Sequence, residues 1–135
     1  MPSPHRQLVC DRAGGRCEYC HLPEFTAPVS NFHIEHIIAK QHGGSDEPDN
    51  LAWSCHRCNL HKGPNLSGID PLTERVVRLF DPRRQSWKRH FEWLGAPLLG
   101  RTQIGRATVA VLDINDPQRL DLRQIIRDDG DWPEQ

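Results

Sequence analysis

A chain of 135 residues with 36% hydrophobic content, no low-complexity run and a formal charge of -1 fits one small domain, 1–135, that must draw stability from something besides its core. No apolar run approaches membrane-spanning length, and Met1-Pro2-Ser3-Pro4-His5 has no basic segment leading into an apolar one. A soluble, cytoplasmic protein with no membrane partner is expected.

The near-neutral balance hides an asymmetry. Residues 1–72 hold 6 Lys+Arg against 8 Asp+Glu, residues 73–106 hold 8 against 3, and residues 107–135 hold 3 against 7. The middle segment, basic by 8 − 3 = +5, can face a phosphate backbone, although a solvated basic face gives the same count.

In chain order, residues 5–14 predict a short helix ending at Gly14-Gly15, and Arg16 to His21 a zinc knuckle, with an irregular stretch over Leu22 to Ser30. Asn31 to Ile38 has strand content, Gln41 to Asp49 is a loop of turn formers, and Asn50 to Ser54 is a second strand. Cys55 to Lys62 opens a helix that Gly63-Pro64 ends. Further strands are expected at Arg75 to Phe80, Gln85 to Trp93 and Pro97 to Thr102. The last two pair across Gly95-Ala96, so that Trp87, Phe91 and Trp93 alternate along one strand. Thr102 caps a helix running to about Leu112. Asp116-Pro117 starts the last helix, with Leu120, Ile125 and Ile126 inward, and the tail from Asp128 is expected to fray.

Of the five cysteines, four form Cys17-x-x-Cys20 and Cys55-x-x-Cys58, with 34 residues between the pairs. Paired spacing twice over suits a tetrathiolate zinc better than a secreted disulfide framework, and four thiolates make a closed, structural site. Cys10 is left over and reads as a small buried apolar residue.

Taken together, Cys17-x2-Cys20, Glu35-His36-Ile37-Ile38, Gly43-Gly44, Asn50-Leu51 and Cys55-x2-Cys58-Asn59-x2-Lys62-Gly63 resemble the HNH endonucleases, in the four-cysteine, zinc-clamped branch of the ββα-metal nucleases. The resemblance implies an α+β fold with a ββα-metal core over 17–63 clamped by a four-cysteine zinc, and a strand-plus-helix extension over 70–127 is expected to pack on that core and supply the apolar area it lacks. It implies metal-dependent hydrolysis of DNA phosphodiester bonds, leaving 5'-phosphate and 3'-hydroxyl ends, with RNA left open as a substrate.

By position, the resemblance makes His36 the base that activates water, a role an imidazole with its ordinary pKa near 6.5 can fill. Glu35 and Asn59 become ligands of a catalytic Mg2+ or Mn2+, the ions that oxygen donors suit, and Asn50 pins the loop that orients the base. Glu35 stands where many members have aspartate, and Asn59 makes this an H-N-N variant. On a regular strand Glu35 and His36 face opposite ways, so one shared site requires the strand to end or bulge there.

His33 shares the Glu35 face and reads as a further metal ligand, a phosphate contact or a half-buried strand histidine. His42, His56 and His61 read as surface residues. Lys62, Arg83, Arg84, Lys88 and Arg89 are candidate nucleic-acid contacts, with no small-molecule cofactor and no oligomeric state indicated. The rival expectation is a catalytically inactive, zinc-stabilised module that binds nucleic acid or protein.

Overall fold

Helix α1 (Arg6–Arg12), whose one buried side chain is Val9, packs on the first hairpin, which the knuckle meets directly through Glu18 and Trp53. Its arginines bind the hairpin from outside: Arg12 Nη2 donates to the Leu51 carbonyl at 2.7 Å, and the Arg6 guanidinium lies 4.7 Å from the Trp53 ring centre. These contacts belong to a computed structural model that describes residues 4–26 and 32–132. Asn31, the expected first residue of the strand, lies outside them, as do part of the irregular stretch and the last three residues of the tail.

Strands β1 (His33–His36) and β2 (Leu51–Ser54) pair antiparallel, one residue to one: His33 with Ser54, Ile34 with Trp53, Glu35 with Ala52 and His36 with Leu51. No bulge interrupts β1. Of the two expected irregularities the strand shows the end, at His36, and not the bulge, and the Glu35 and His36 side chains leave it on opposite faces. All of β2 is buried, so its pairing is held by packing on both sides.

Helix α2 (His56–Lys62) follows at once, with the Cys55 side chain accepting from the Cys58 amide as N-cap. A hairpin of β3 (Ser67–Ile69) and β4 (Val76–Arg78) comes next. Only its second strand matches an expected one, because Gly68 lowers the strand signal of β3. The turn is closed by Asp70, which accepts from the Leu72 amide, the Thr73 hydroxyl and both Arg106 Nε and Nη2, the last two at 2.8 and 2.9 Å.

Trp87–His90 forms a helical turn, α3, in place of the expected strand, and β5 (Phe91–Trp93) begins only after it and pairs with β6 (Leu98–Gly100). The contacts of one partly buried ring override strand propensity here. Trp87 stacks on His21 at 3.9 Å, donates Nε1–H to the Tyr19 carbonyl at 2.9 Å, and packs 5.2 Å from Phe91.

Helices α4 (Gln103–Val111) and α5 (Pro117–Asp128) start at the expected caps, Thr102 and Asp116, which accept from the Gly105 and Arg119 amides. The inward face of α5 corrects the reading. Arg119, Arg123 and Ile126 are buried at helical spacing, while Ile125 is exposed. The tail is tied at Trp132, whose buried ring meets Trp93 edge-on at 5.1 Å.

One apolar cluster joins residues from both halves of the sequence, among them Val9, Tyr19, Phe32, Trp53, Phe80, Phe91 and Leu112. The fold is α+β, with short strand pairs and helices around a four-cysteine cluster. Among the described residues no helix is long and apolar enough to cross a membrane.

Candidate active site and zinc centre

Cys17, Cys20, Cys55 and Cys58 are all buried, and their sulfurs lie within 4.8 Å of one another. A tetrahedron with zinc–sulfur bonds of about 2.3 Å separates its sulfurs by about 3.8 Å, and Cys20 Sγ stands 3.7 Å from Cys55 Sγ. The donor set and spacing fit a structural zinc. Two amides point at the sulfurs, Cys20 N–H at Cys17 Sγ and Cys58 N–H at Cys55 Sγ, at 3.5 and 3.4 Å. Arg119 adds a full charge: its Nη2 donates to Cys58 Sγ at 2.9 Å, while Nη1 holds the Leu112 carbonyl at 2.7 Å. Cys10 stays outside the cluster and is only partly buried, contrary to expectation, with its thiol 3.7 Å from Glu24 Oε1.

His36 ends β1 on the open face. Its Nε2 lies 2.8 Å from Asp46 Oδ1, with side chains 28% and 67% exposed, and Lys40 Nζ approaches the same oxygen at 3.2 Å. His36, Asp46 and Lys40 line an open depression with Ile34, Leu51, Pro4 and His5. The hydrogen bonds from His36 and Lys40 hold the Asp46 carboxyl below the ordinary aspartate range.

The loop between the strands delivers Asp46 because it folds back tightly. Gly43 has φ 85°, and a Cβ on Gly44 would stand 1.6 Å from the Ile38 carbonyl oxygen. Buried Asn50 clamps the loop from the other side. Its Oδ1 accepts from the Ile38 amide at 2.9 Å, and its Nδ2 donates to the Ile38 and Ser45 carbonyls at 3.0 and 2.8 Å.

Glu35 points the other way, into the protein. Its Oε2 is 2.9 Å from Lys62 Nζ, Tyr19 donates its hydroxyl to Oε1, and the Glu35 and Lys62 side chains are 3% and 2% exposed. Lys62 is held further by the Ile37 and His36 carbonyls at 3.0 and 3.4 Å. Burial pushes the Glu35 carboxyl up, opposed by Lys62 and Tyr19. With both oxygens engaged and an ammonium beside one, Glu35 does not fit as a ligand of a hydrated Mg2+ or Mn2+ in this arrangement. Lys62, expected at a phosphate, is a buried counter-ion.

Asn59 lies half-buried on α2, one residue past Cys58 of the thiolate cluster. His33 meets His56 at the start of α2, with Nε2 of the first 3.2 Å from Nδ1 of the second. Arg83 is turned inward onto Glu18, which also accepts from the Trp53 amide. That pairing leaves Arg83 little exposed, away from the role expected of it as a nucleic-acid contact. Arg84 is exposed beside Asp81 and 4.0 Å from Asp49, and Lys88 and Arg89 are exposed on α3.

Three partners escape sequence reading. Asp46 reads as one more polar loop residue, and only the Gly43-Gly44 pair hints that its loop folds back. Tyr19 carries no polar signal of its own. Arg119 looks like a solvated helix residue, and no sequence pattern announces a cation at the thiolates.

The hairpin, the helix behind it and the four thiolates follow one another in the chain from the first knuckle cysteine to just past α2. Residues 17–65 match the family model of the HNH endonucleases. This segment is an HNH domain. It spans Cys17 to the turn after α2 and includes His36, Asn50, Asn59 and all four clustered cysteines. No curated protein and no solved structure matches the chain. The HNH domain packs against the rest of the protein through Trp87 on Tyr19, Arg83 on Glu18, and Arg57 on Asp116 at 2.8 Å.

Proposed function

We propose that the HNH domain is a metal-dependent endonuclease hydrolysing DNA phosphodiester bonds, with His36 as the base that activates water and 5'-phosphate and 3'-hydroxyl products. The observation that carries this reading is the contact between His36 Nε2 and Asp46. A carboxylate accepts but does not donate, so Nε2 keeps the proton and Nδ1 offers a lone pair to water. Asp46 acts through His36 as a positioning residue. Asn50 fixes the loop that carries Asp46, and Lys40 in the same depression can meet a phosphate oxygen.

A divalent ion, when bound, supplies neutralisation of phosphate charge. Within this reading Asn59 remains its candidate ligand on α2, while Glu35 acts as a structural tie. Arg84, Lys88 and Arg89 supply sequence-independent contacts to the DNA backbone, so affinity falls as salt rises. A reducing, cytoplasmic setting suits the thiolate cluster.

A second reading, a zinc-stabilised binding module without activity, is favoured by one observation: the Lys62 ammonium stands on the Glu35 carboxylate. Cleavage of supercoiled plasmid with Mg2+ or Mn2+ by wild type and by His36→Ala separates the two. Activity that depends on His36 supports the endonuclease. No cleavage by either protein with either ion supports the binding module.

A further inference from the structure

His33 and His56 sit apart from the His36 depression, and the reading of the pair is independent of the nuclease reading. His33 is the first residue of β1 and His56 the first of α2, and they meet across the junction of strand and helix with facing ring nitrogens 3.2 Å apart. Both positions are fixed by neighbours. His33 is paired with Ser54 in the hairpin, and His56 follows Cys55, which caps α2 and belongs to the thiolate cluster. The contact itself lies at the surface.

Two imidazole nitrogens this close either share one proton or chelate one cation. With metal–nitrogen bonds of about 2.0–2.1 Å, a separation of 3.2 Å corresponds to an angle at the metal of about 100°. Tetrahedral and octahedral ions both accept a cis angle of that size. The Arg6 guanidinium, which holds the Phe32 carbonyl and lies over Trp53, exerts its charge on His33. That charge opposes a bare dication, and an anionic ligand on the metal, such as a phosphate oxygen, offsets it. Imidazole donors select borderline ions over Mg2+.

We infer that His33 and His56 form a surface site for one divalent transition ion of the Zn2+, Co2+ and Ni2+ class, separate from the tetrathiolate centre. The test titrates the full chain, loaded with one zinc, with Ni2+ by calorimetry and follows zinc content throughout. One Ni2+ per chain is expected to bind with the zinc retained. His33→Ala and His56→Ala each weaken that binding by at least about tenfold, since loss even of a ligand's hydrogen-bond partner costs about 10–100-fold. His42→Ala and His61→Ala leave it unchanged.

Because His33 is also a strand residue, exposed His56 carries the decision, with unchanged zinc content and circular dichroism as its check on folding. Equal Ni2+ binding by wild type and His56→Ala, or no uptake beyond zinc in wild type, overturns the site. Uptake is read without DNA, so its failure leaves the endonuclease reading intact.

Discussion

Glu35 and Lys62 form an ion pair of 2.9 Å with side chains 3% and 2% exposed, joining β1 to α2 across the inside of the HNH domain. Tyr19 of the first knuckle completes the group by donating to the other Glu35 oxygen. The strand that carries His36 is thereby anchored to both cysteine-bearing segments.

Removing one partner of this pair leaves a buried charge. Lys62→Met is expected to lower stability by about 3–5 kcal/mol, whereas Glu35→Gln combined with Lys62→Met recovers much of the loss. Denaturant unfolding of the zinc-loaded proteins checks this. Equal stability of Lys62→Met and wild type would mean that the pair is not formed.

Asn50→Ala frees one amide and two carbonyls of the loop at once. A loss of about 1–3 kcal/mol is expected, the desolvation cost of buried groups left unpaired. Faster proteolysis between Ile38 and Asn50 should accompany it. Cleavage should fall too, because Asp46 rides on that loop.

Zinc is expected to hold the fold outright, so Cys55→Ser or strong chelation unfolds the protein. Arg119→Met, which removes the cation 2.9 Å from Cys58 Sγ, is expected to release zinc to a chromophoric chelator at about 10–100-fold lower chelator concentration. Unchanged release would show that the arginine merely fills space.

The Arg106 guanidinium, and after it the Thr73 hydroxyl and the Leu72 amide, hold the Asp70 carboxyl below its unfolded value against the effect of burial. A depressed carboxylate contributes stability that is complete above the unfolded pKa, near 3.9, and is lost as pH falls toward the folded value. Wild type is thus expected to exceed Asp70→Asn in stability above about pH 4 and to lose that margin on acidification. Subtracting the two at each pH cancels the acid lability of the thiolates. A margin constant down to about pH 2 would exclude the ionised Asp70 as its source.

The four-cysteine cluster, the first hairpin, α2 and the caps of α4 and α5 are legible in the sequence because each rests on local chemistry: paired cysteines, a glycine-rich return, Thr102 and Asp116 before helical runs. What escapes depends on contacts distant in sequence. Lys62 reads as a surface cation until α2 packs on β1, and Glu35 reads as an open carboxylate until Tyr19 and Lys62 close over it. Arg119 and Arg123 occupy positions on α5 that an apolar pattern assigns to leucine and isoleucine, because thiolates and carbonyls wait there for cations. Trp87 leaves the expected strand for the same kind of reason, a ring site on His21 and Tyr19 that propensity does not register.

In the proposed reaction His36, oriented by Asp46, activates the attacking water. The most direct measurement of that role is the rate of plasmid cleavage by folded, zinc-loaded wild type and His36→Ala at one Mg2+ or Mn2+ concentration. Loss of a general base is expected to slow cleavage by about 10²–10⁴-fold, with a smaller loss in Asp46→Asn. Equal rates for wild type and His36→Ala would contradict the account.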